Sequence, residues 1–142
     1  MFSHRLDVRF RDCDPMGHVN NAVYLTYLEQ TRFAHWRSLW GFGSPQLPSG
    51  MPGVILARCE CDFKKPARYG EVLEIQLRVA GIGRTSFRYE YEILNADRQT
   101  VAVAKTVQVM YDYAADRPVP IPDAIRALLE GEVGNRGIGG IG

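Results

Sequence analysis

Fifteen residues, RDCDPMGHVNNAVYL from Arg11 to Leu25, hold two carboxylates, a thiol, an imidazole and two carboxamides around Pro15 and Gly17. A carboxylate such as Asp14 can take a proton from water as a general base, or attack an activated carbonyl itself to give a mixed anhydride. Either route leaves negative charge on the carbonyl oxygen. A helix N-terminus offers unpaired amides and a favourable dipole to such an oxyanion, and apolar residues at helical spacing begin directly after Asn21. His18 could polarise the carbonyl, orient Asp14 or bind a metal. Cys13 lies between two carboxylates that oppose a thiolate, so it is a poor nucleophile.

Each of these residues also has a structural use. The amides that would hold an oxyanion would equally hold Asp14 as a capping or loop-bracing carboxylate, and His18 suits a simple hydrogen-bonding role in the same loop. Asn20 and Asn21 are N-cap candidates, Gly17 supplies backbone freedom and close approach to a ligand, and Asp12 reads as a surface residue at a strand end. Glu29 falls within the apolar stripe of the following helix, where an ion pair with Arg32, three residues on, accounts for it. Lys64, Lys65 and Arg68 cluster at a strand end, and Arg84 stands in a short hairpin with Thr85 and Ser86. Both groups suit phosphates or plain solvation.

The elements that must position these groups follow from periodicity. Residues 4–11 alternate, Leu6, Val8 and Phe10 against Arg5, Asp7, Arg9 and Arg11, as in a half-buried strand. Pro15 and Gly17 break that pattern and make the stretch from Asp12 to Asn21 a loop. From Ala22 to Trp40, the residues Ala22, Leu25, Leu28, Phe33, Trp36, Leu39 and Trp40 form a stripe at helical spacing, stopped by Gly41 and Gly43. Val23, Tyr24 and Tyr27 add apolar surface on the other side, so this helix is expected to be enclosed.

A Pro/Gly/Ser loop over 43–53 precedes four alternating segments. Their expected inward faces are Ile55, Ala57, Cys59, Cys61 and Phe63; Leu73, Ile75, Leu77 and Val79; Phe87, Tyr89, Tyr91 and Ile93; and Val101, Val103, Val107, Val109 and Tyr111. The short links PARYG, GIGRT and NADRQ imply antiparallel neighbours. A proline-spaced connector leads to a short helix over 123–130 with Ile125, Leu128 and Leu129 inward, and the glycine-rich stretch 131–142 is expected to be disordered. The result is one α+β domain over 1–130, in which five antiparallel strands share an apolar face and one long helix covers it.

Composition narrows the function class. A chain of 142 residues, 46% hydrophobic, suffices for one core and is short for two domains. Seventeen basic and sixteen acidic residues, with no long block of either sign, give no nucleic-acid footprint. No apolar run approaches the roughly eighteen residues of a membrane span, and MFSHRLDVRF contains no apolar signal core, so no membrane partner and a cytoplasmic location are expected. Cys13, Cys59 and Cys61 are odd in number and lack a second ligand pair, so no disulfide framework or zinc site is expected.

DCDPMGHVNNAVYLTYLEQTRF resembles the signature of hotdog-fold acyl-CoA thioesterases of the 4-hydroxybenzoyl-CoA thioesterase type, and KPARYGEVLEIQL resembles the segment that follows it in that family. The resemblance covers residues 5–125 and implies a hotdog fold, a five-stranded antiparallel sheet wrapped around a long central helix, that hydrolyses acyl-CoA to free acid and CoA. Hydrolysis of a thioester would need no metal or redox cofactor. By position it makes Asp14 the catalytic carboxylate and Asn21 the helix-start residue whose backbone amide receives the thioester oxygen. Gly17 falls in the same turn, with His18 as an orienting group. It further implies that Arg84, Thr85 and Ser86 touch the CoA nucleotide or pantetheine, and that Tyr24 belongs to the substrate-binding set. Two subunits would join their sheets, with sites at the interface, in a homodimer or homotetramer. The GHVNN form implies an aliphatic acyl group.

Two other readings keep the fold. One is an enoyl-CoA hydratase or dehydratase, in which an acid and a histidine handle water across a double bond, although Asp14 and His18 are not spaced as in that group's usual motif. The other is a non-catalytic acyl-CoA binding module, which would need an output element such as a helix-turn-helix or a basic arm.

Overall fold

The structure is a computed structural model that describes residues 1–43 and 51–136. The chain runs β1 (Phe2–Asp7), a single 3-10 turn (Phe10–Asp12), α1 (Asn21–Trp40), β2 (Gly53–Phe63), β3 (Val72–Ile82), β4 (Ser86–Leu94), β5 (Thr100–Asp112), β6 (Arg117–Pro118) and α2 (Asp123–Arg136). Five long strands form one antiparallel sheet in the order β1-β3-β4-β5-β2, and β6 adds two residues beside β5. α1 lies against one face, giving the expected hotdog arrangement. Neither helix is long and apolar enough to cross a membrane.

Alternation places the centre of the core as expected. Leu73, Ile75, Leu77 and Val79 of β3 and Phe87, Tyr89, Tyr91 and Ile93 of β4 are buried with Tyr24, Tyr27, Leu28 and Trp36 of α1. Burying each such side chain contributes roughly 1.5–3 kcal/mol.

The inward face of α1 differs from the hydrophobic stripe. It consists of Tyr24, Tyr27, Leu28, Thr31, Arg32, His35 and Trp36, a regular i, i+3, i+4 series, while Leu25 and Phe33 are exposed and the helix is not enclosed. Hydrophobicity alone ranks Thr31, Arg32 and His35 as outward residues, but each is buried with a hydrogen-bond partner. Thr31 Oγ1 donates to the Tyr27 carbonyl at 2.9 Å, and the Arg32 guanidinium donates to the Tyr91 hydroxyl at 3.3 Å. The expected Glu29–Arg32 pair is therefore absent: Arg32 points inward and Glu29 is exposed.

Two strands also present a different face. In β5 the residues toward the helix are Ala102, Ala104, Thr106, Gln108 and Met110, and Val103, Val107 and Val109 lie half-buried on the other side. Tyr89 and Tyr91, paired with Thr106 and Ala104, already fill the space under α1, so the smaller face turns inward. In β2 the register shifts between Leu56 and Arg58. Val54 stands opposite Met110, whereas Cys59 and Cys61 stand opposite Thr106 and Ala104, so the bulge at Ala57 switches the inward parity and separates Ile55 from the cysteines. Cys59 and Cys61 pack against the core, and burial raises both thiols, Cys61 to about 11.

The ends of the chain differ as well. β1 stops at Asp7 rather than running to Arg11, and Phe10 sits in the 3-10 turn. α2 continues through Gly131 to Arg136, into the stretch expected to be disordered. Its added turns are fastened by Glu132, whose Oε1 lies 2.7 Å from His35 Nε2, and by Val133 against the core. Residues 137–142 and most of the expected loop over 43–53 lie outside the described residues.

Candidate active site

Backbone bonds fold residues 13–19 into a hook in front of α1. Cys13 bridges Val19, the Asp14 amide donates to the His18 carbonyl at 2.8 Å, and the Asn20 amide donates to the Asp12 carbonyl at 2.9 Å. The hook is fixed from outside by the Val19 amide on the Ala67 carbonyl at 2.9 Å and by a bridge between His18 and Arg68. At its tip the Gly17 amide donates to the Asp14 carbonyl at 2.9 Å, with Gly17 at φ +84°. A Cβ at that position would meet nothing within 4 Å. The left-handed backbone angle, and not lack of space, is what requires glycine.

Asp14 is half-buried and half-used. Its Oδ1 accepts from the Met16 amide at 2.9 Å and the His18 amide at 3.3 Å, and Oδ2 has no partner among the described residues. The His18 imidazole, also half-buried, likewise makes no hydrogen bond among them. Asn20, not Asn21, caps the helix: its Oδ1 accepts from the Ala22 amide at 2.9 Å and its carbonyl from the Val23 amide at 2.8 Å. Of the amides of Asn21, Ala22 and Val23, only that of Asn21 is left without a partner among the described residues.

Behind the hook the packing is closed. Asp12, expected at the surface, is 3% exposed. It accepts from the Arg9 amide at 2.9 Å, the Arg9 guanidinium at 3.1 Å and the Tyr27 hydroxyl at 2.7 Å. Burial alone would raise its pKa, but the bonds from Arg9 and Tyr27 outweigh burial and hold it below the ordinary value. Tyr27 is pushed up in turn, by burial first and then by Asp12. Asp12 thus has no free oxygen for chemistry. Tyr24, implied as a substrate contact, is 2% exposed and packs in the core against Tyr27 and Phe63, at ring-centroid distances of 5.9 and 5.2 Å. Burial raises its hydroxyl too.

Arg84, Thr85 and Ser86 are not brought to the hook within one chain. The hook lies where β1 ends and β3 begins, at the Asp7–Val72 pair. The hairpin follows the other end of β3, a strand of eleven residues and therefore roughly 30 Å away at about 3.3 Å per residue. There it is pinned by the Met110 amide on the Thr85 carbonyl at 2.8 Å, the Ile121 amide on the Arg84 carbonyl at 3.0 Å and the Arg126 guanidinium on the Gly83 carbonyl at 2.7 Å. A groove of about 810 Å³ lies on the outer face of the sheet, lined in part by Glu60, Asp62, Arg78, Glu90, Glu92 and Lys105, and Asp14 is not on its wall. Arg68, which the sequence offered only as one of a group of cations, is the residue bridged to His18; the signal was present in the PARYG link, but its pairing with the hook is tertiary.

Among known proteins, the sequence matches the thioesterase-like superfamily over residues 8–129. It is 30% identical over 125 residues to the 1,4-dihydroxy-2-naphthoyl-CoA hydrolase of Synechococcus elongatus, covering 87% of this chain and 90% of that one. It is 25% identical over 127 residues to an acyl-CoA thioester hydrolase of Escherichia coli, covering 89% and 94%. The crystal structure of a Thermus thermophilus thioesterase complexed with coenzyme A and Zn superposes with a TM-score of 0.78 at 36% identity over 93% of each chain. The architecture and these matches define a hydrolase of thioesters. The chain belongs to the thioesterase-like superfamily.

Proposed function

We propose that the protein hydrolyses aliphatic acyl-CoA thioesters to free acid and coenzyme A, with Asp14 as the reacting carboxylate. The observation that carries this reading is the state of Asp14: one oxygen is held by the Met16 and His18 amides and, among the described residues, the other is unpartnered, ahead of a helix whose first amide is also open. The thioester oxygen rests on the Asn21 amide and the helix dipole. Asp14 then draws a proton from water that attacks the carbonyl, or attacks it directly to give a mixed anhydride that water opens. In both routes the tetrahedral intermediate collapses with expulsion of the CoA thiolate, which takes up a proton. One well-placed oxyanion donor contributes roughly 10²–10³ in kcat. Gly17 permits the turn, and the His18 imidazole, free of other bonds, orients water beside Asp14.

A second copy completes the site. The outer edge of β2 is unpaired among the described residues, and Leu56 and Phe63 of that strand are exposed; a long open edge is a template for another strand. Two-fold antiparallel pairing of β2 sets the Phe63 end of one copy against the Gly53 end of the other. Phe63 packs on Tyr24 near the hook, and Gly53 pairs with Tyr111 at the end of the sheet that carries the Arg84–Ser86 hairpin. The hairpin of one copy is thereby carried toward Asp14 of the other.

The test is CoA release from straight-chain and aromatic acyl-CoAs, with Asp14→Ala beside the parent. Aliphatic substrates are expected to turn over fastest, and Asp14→Ala to lower kcat by about 10²–10⁴. Undiminished turnover in a folded Asp14→Ala protein would sink the assignment, faster aromatic turnover would replace the substrate class, and full activity of a strict monomer would remove the two-chain site.

A further inference from the structure

Beside the hook stands a cluster that the reaction above does not use. Phe10 and Tyr69 are 79% and 65% exposed, and their rings meet edge to face with centroids 5.8 Å apart. Arg11 and Arg68 adjoin them in sequence and Lys64 and Lys65 stand on the same link as Tyr69, all exposed, and none of the four forms an ion pair among the described residues. The chain as a whole is nearly neutral, at +1, with acidic residues gathered on the outer face of the sheet at Glu60, Asp62, Glu90 and Glu92. That face also carries Arg78 and Lys105, with Glu60 and Glu90 paired to Arg58 and Arg78, whereas the four cations beside the hook are without such pairs among the described residues.

The segment that carries these residues is fastened in place. The Lys64 and Lys65 amides both donate to the Val101 carbonyl, at 2.8 and 3.1 Å, the Val19 amide bonds Ala67, Arg68 bridges His18, and the Gly70 amide donates to the Val8 carbonyl at 3.1 Å. Arg68 thus abuts the hook, and Lys64, four residues back, stands up to about 14 Å further out. Two large aromatic rings left in water and several unpaired like charges do nothing for folding. Together they suit a ligand with a planar base and several phosphates, because aromatic faces stack on bases and cations take phosphate oxygens.

We infer that this cluster docks the nucleotide end of coenzyme A. Phe10 and Tyr69 take the adenine, Arg11, Lys64, Lys65 and Arg68 take the 3′-phosphate and pyrophosphate, and the pantetheine arm runs back to Asp14. This rests on the acyl-CoA reading of the hook. It moves the nucleotide from the Arg84–Ser86 hairpin onto the chain that carries the reacting carboxylate, and leaves the hairpin of the neighbouring copy to the pantetheine arm.

The experiment compares kcat/KM for one acyl group carried on CoA, on an acidic carrier protein, and on N-acetylcysteamine, which lacks the nucleotide. The proteins are the parent, Lys64→Ser/Lys65→Ser/Arg68→Ser, Phe10→Ser/Tyr69→Ser, and Lys105→Ser from the outer face as a charge control. The preference for the CoA thioester is expected to fall about tenfold or more in the two multiple variants, through KM and most steeply at low ionic strength, and to stay at the parent value in Lys105→Ser. An unchanged preference in both multiple variants would overturn the inference. So would a loss confined to thioesters carried on an acidic carrier protein, which would assign the cluster to protein docking. If the parent hydrolyses none of these thioesters, the functional reading fails, and calorimetric binding of adenosine 3′,5′-bisphosphate decides the site alone. Weaker binding by the triple variant supports it; equal binding, or none by the parent, overturns it.

Discussion

In the hook ahead of α1, Asp14 keeps one oxygen open and the His18 imidazole is unbonded among the described residues. Toward the far end of the same helix, His35 and Glu132 form a second histidine–carboxylate neighbourhood, in which both ring nitrogens of the histidine are used. His35 Nδ1 is 2.7 Å from the Tyr89 hydroxyl, His35 Nε2 is 2.7 Å from Glu132 Oε1, and Trp36 Nε1 donates to the Tyr89 hydroxyl at 2.8 Å. One assignment satisfies the indole, the phenol and both imidazole nitrogens: Trp36 donates to Tyr89, Tyr89 donates to His35 Nδ1, and His35 Nε2–H donates to Glu132 Oε1. Burial pushes His35 below its ordinary pKa of 6.5 against the pull of Glu132, which keeps it neutral. A histidine beside a carboxylate is therefore not in itself a functional mark. What separates the hook from the lock on α2 is the imidazole: both nitrogens of His35 are committed and buried, whereas the half-buried His18 ring has no hydrogen bond among the described residues.

If the comparison holds, substitutions in the closed cluster should cost stability, and those in the hook should cost activity. The largest loss is expected for Tyr89→Phe, which leaves the Trp36 N–H and His35 Nδ1 unpaired in the core: about 2–4 kcal/mol by urea denaturation. Tyr27→Phe removes one of the bonds that stabilise buried Asp12 and is expected to cost about 1–3 kcal/mol; a neutral result would show that Asp12 is not held as the structure has it. Asn20→Ala, which removes the α1 cap, should cost about 1 kcal/mol, whereas Asn21→Ala, acting only through an exposed side chain, should fall within about 0.5 kcal/mol of the parent.

Acid separates the two regions more gently. Because the folded pKa of His35 lies below 6.5, the unfolded chain binds the proton first as pH falls, so stability is full above 6.5 and declines below it. His4, lowered by burial, adds to that step. Asp12 and Glu74 are lowered carboxylates, Glu74 to about 2 through bonds from Ser3, Gln76 and Arg98, and they add a second decline as pH drops below 4.5. Urea midpoints from pH 8 to pH 3 check both steps, and His35→Gln should leave only the His4 share of the first. A midpoint that rises between pH 7 and pH 5 would contradict the neutral, locked His35.

The hook was legible in the sequence because its signals are local. Pro15 and Gly17 interrupt a strand pattern, and an asparagine pair announces the helix, although only backbone geometry selects Asn20 as the cap. The alternating faces of β3 and β4 were legible for the same reason. The lock on α2 was not, since His35 meets partners 54 and 97 residues away, and Asp12 looked like a surface residue because Tyr27 reaches it from the helix. The valines of β5 misled because a strand with two acceptable faces turns the smaller one toward a crowded core. The bulge in β2 has no side-chain signature at Ala57 that a period-2 reading could detect. The separation of Arg84–Ser86 from Asp14 depends on which end of β3 each occupies, which pairing alone decides.

That the open oxygen of Asp14 does the chemistry is tested most directly by Asp14→Asn. Asparagine keeps an oxygen to accept from the Met16 and His18 amides but lacks the charge, so the hook can stay folded while the reacting group is lost. A fall in kcat for acyl-CoA hydrolysis of about 10²–10⁴ with an unchanged urea midpoint is the expected result; parent-level kcat at that same midpoint would contradict it.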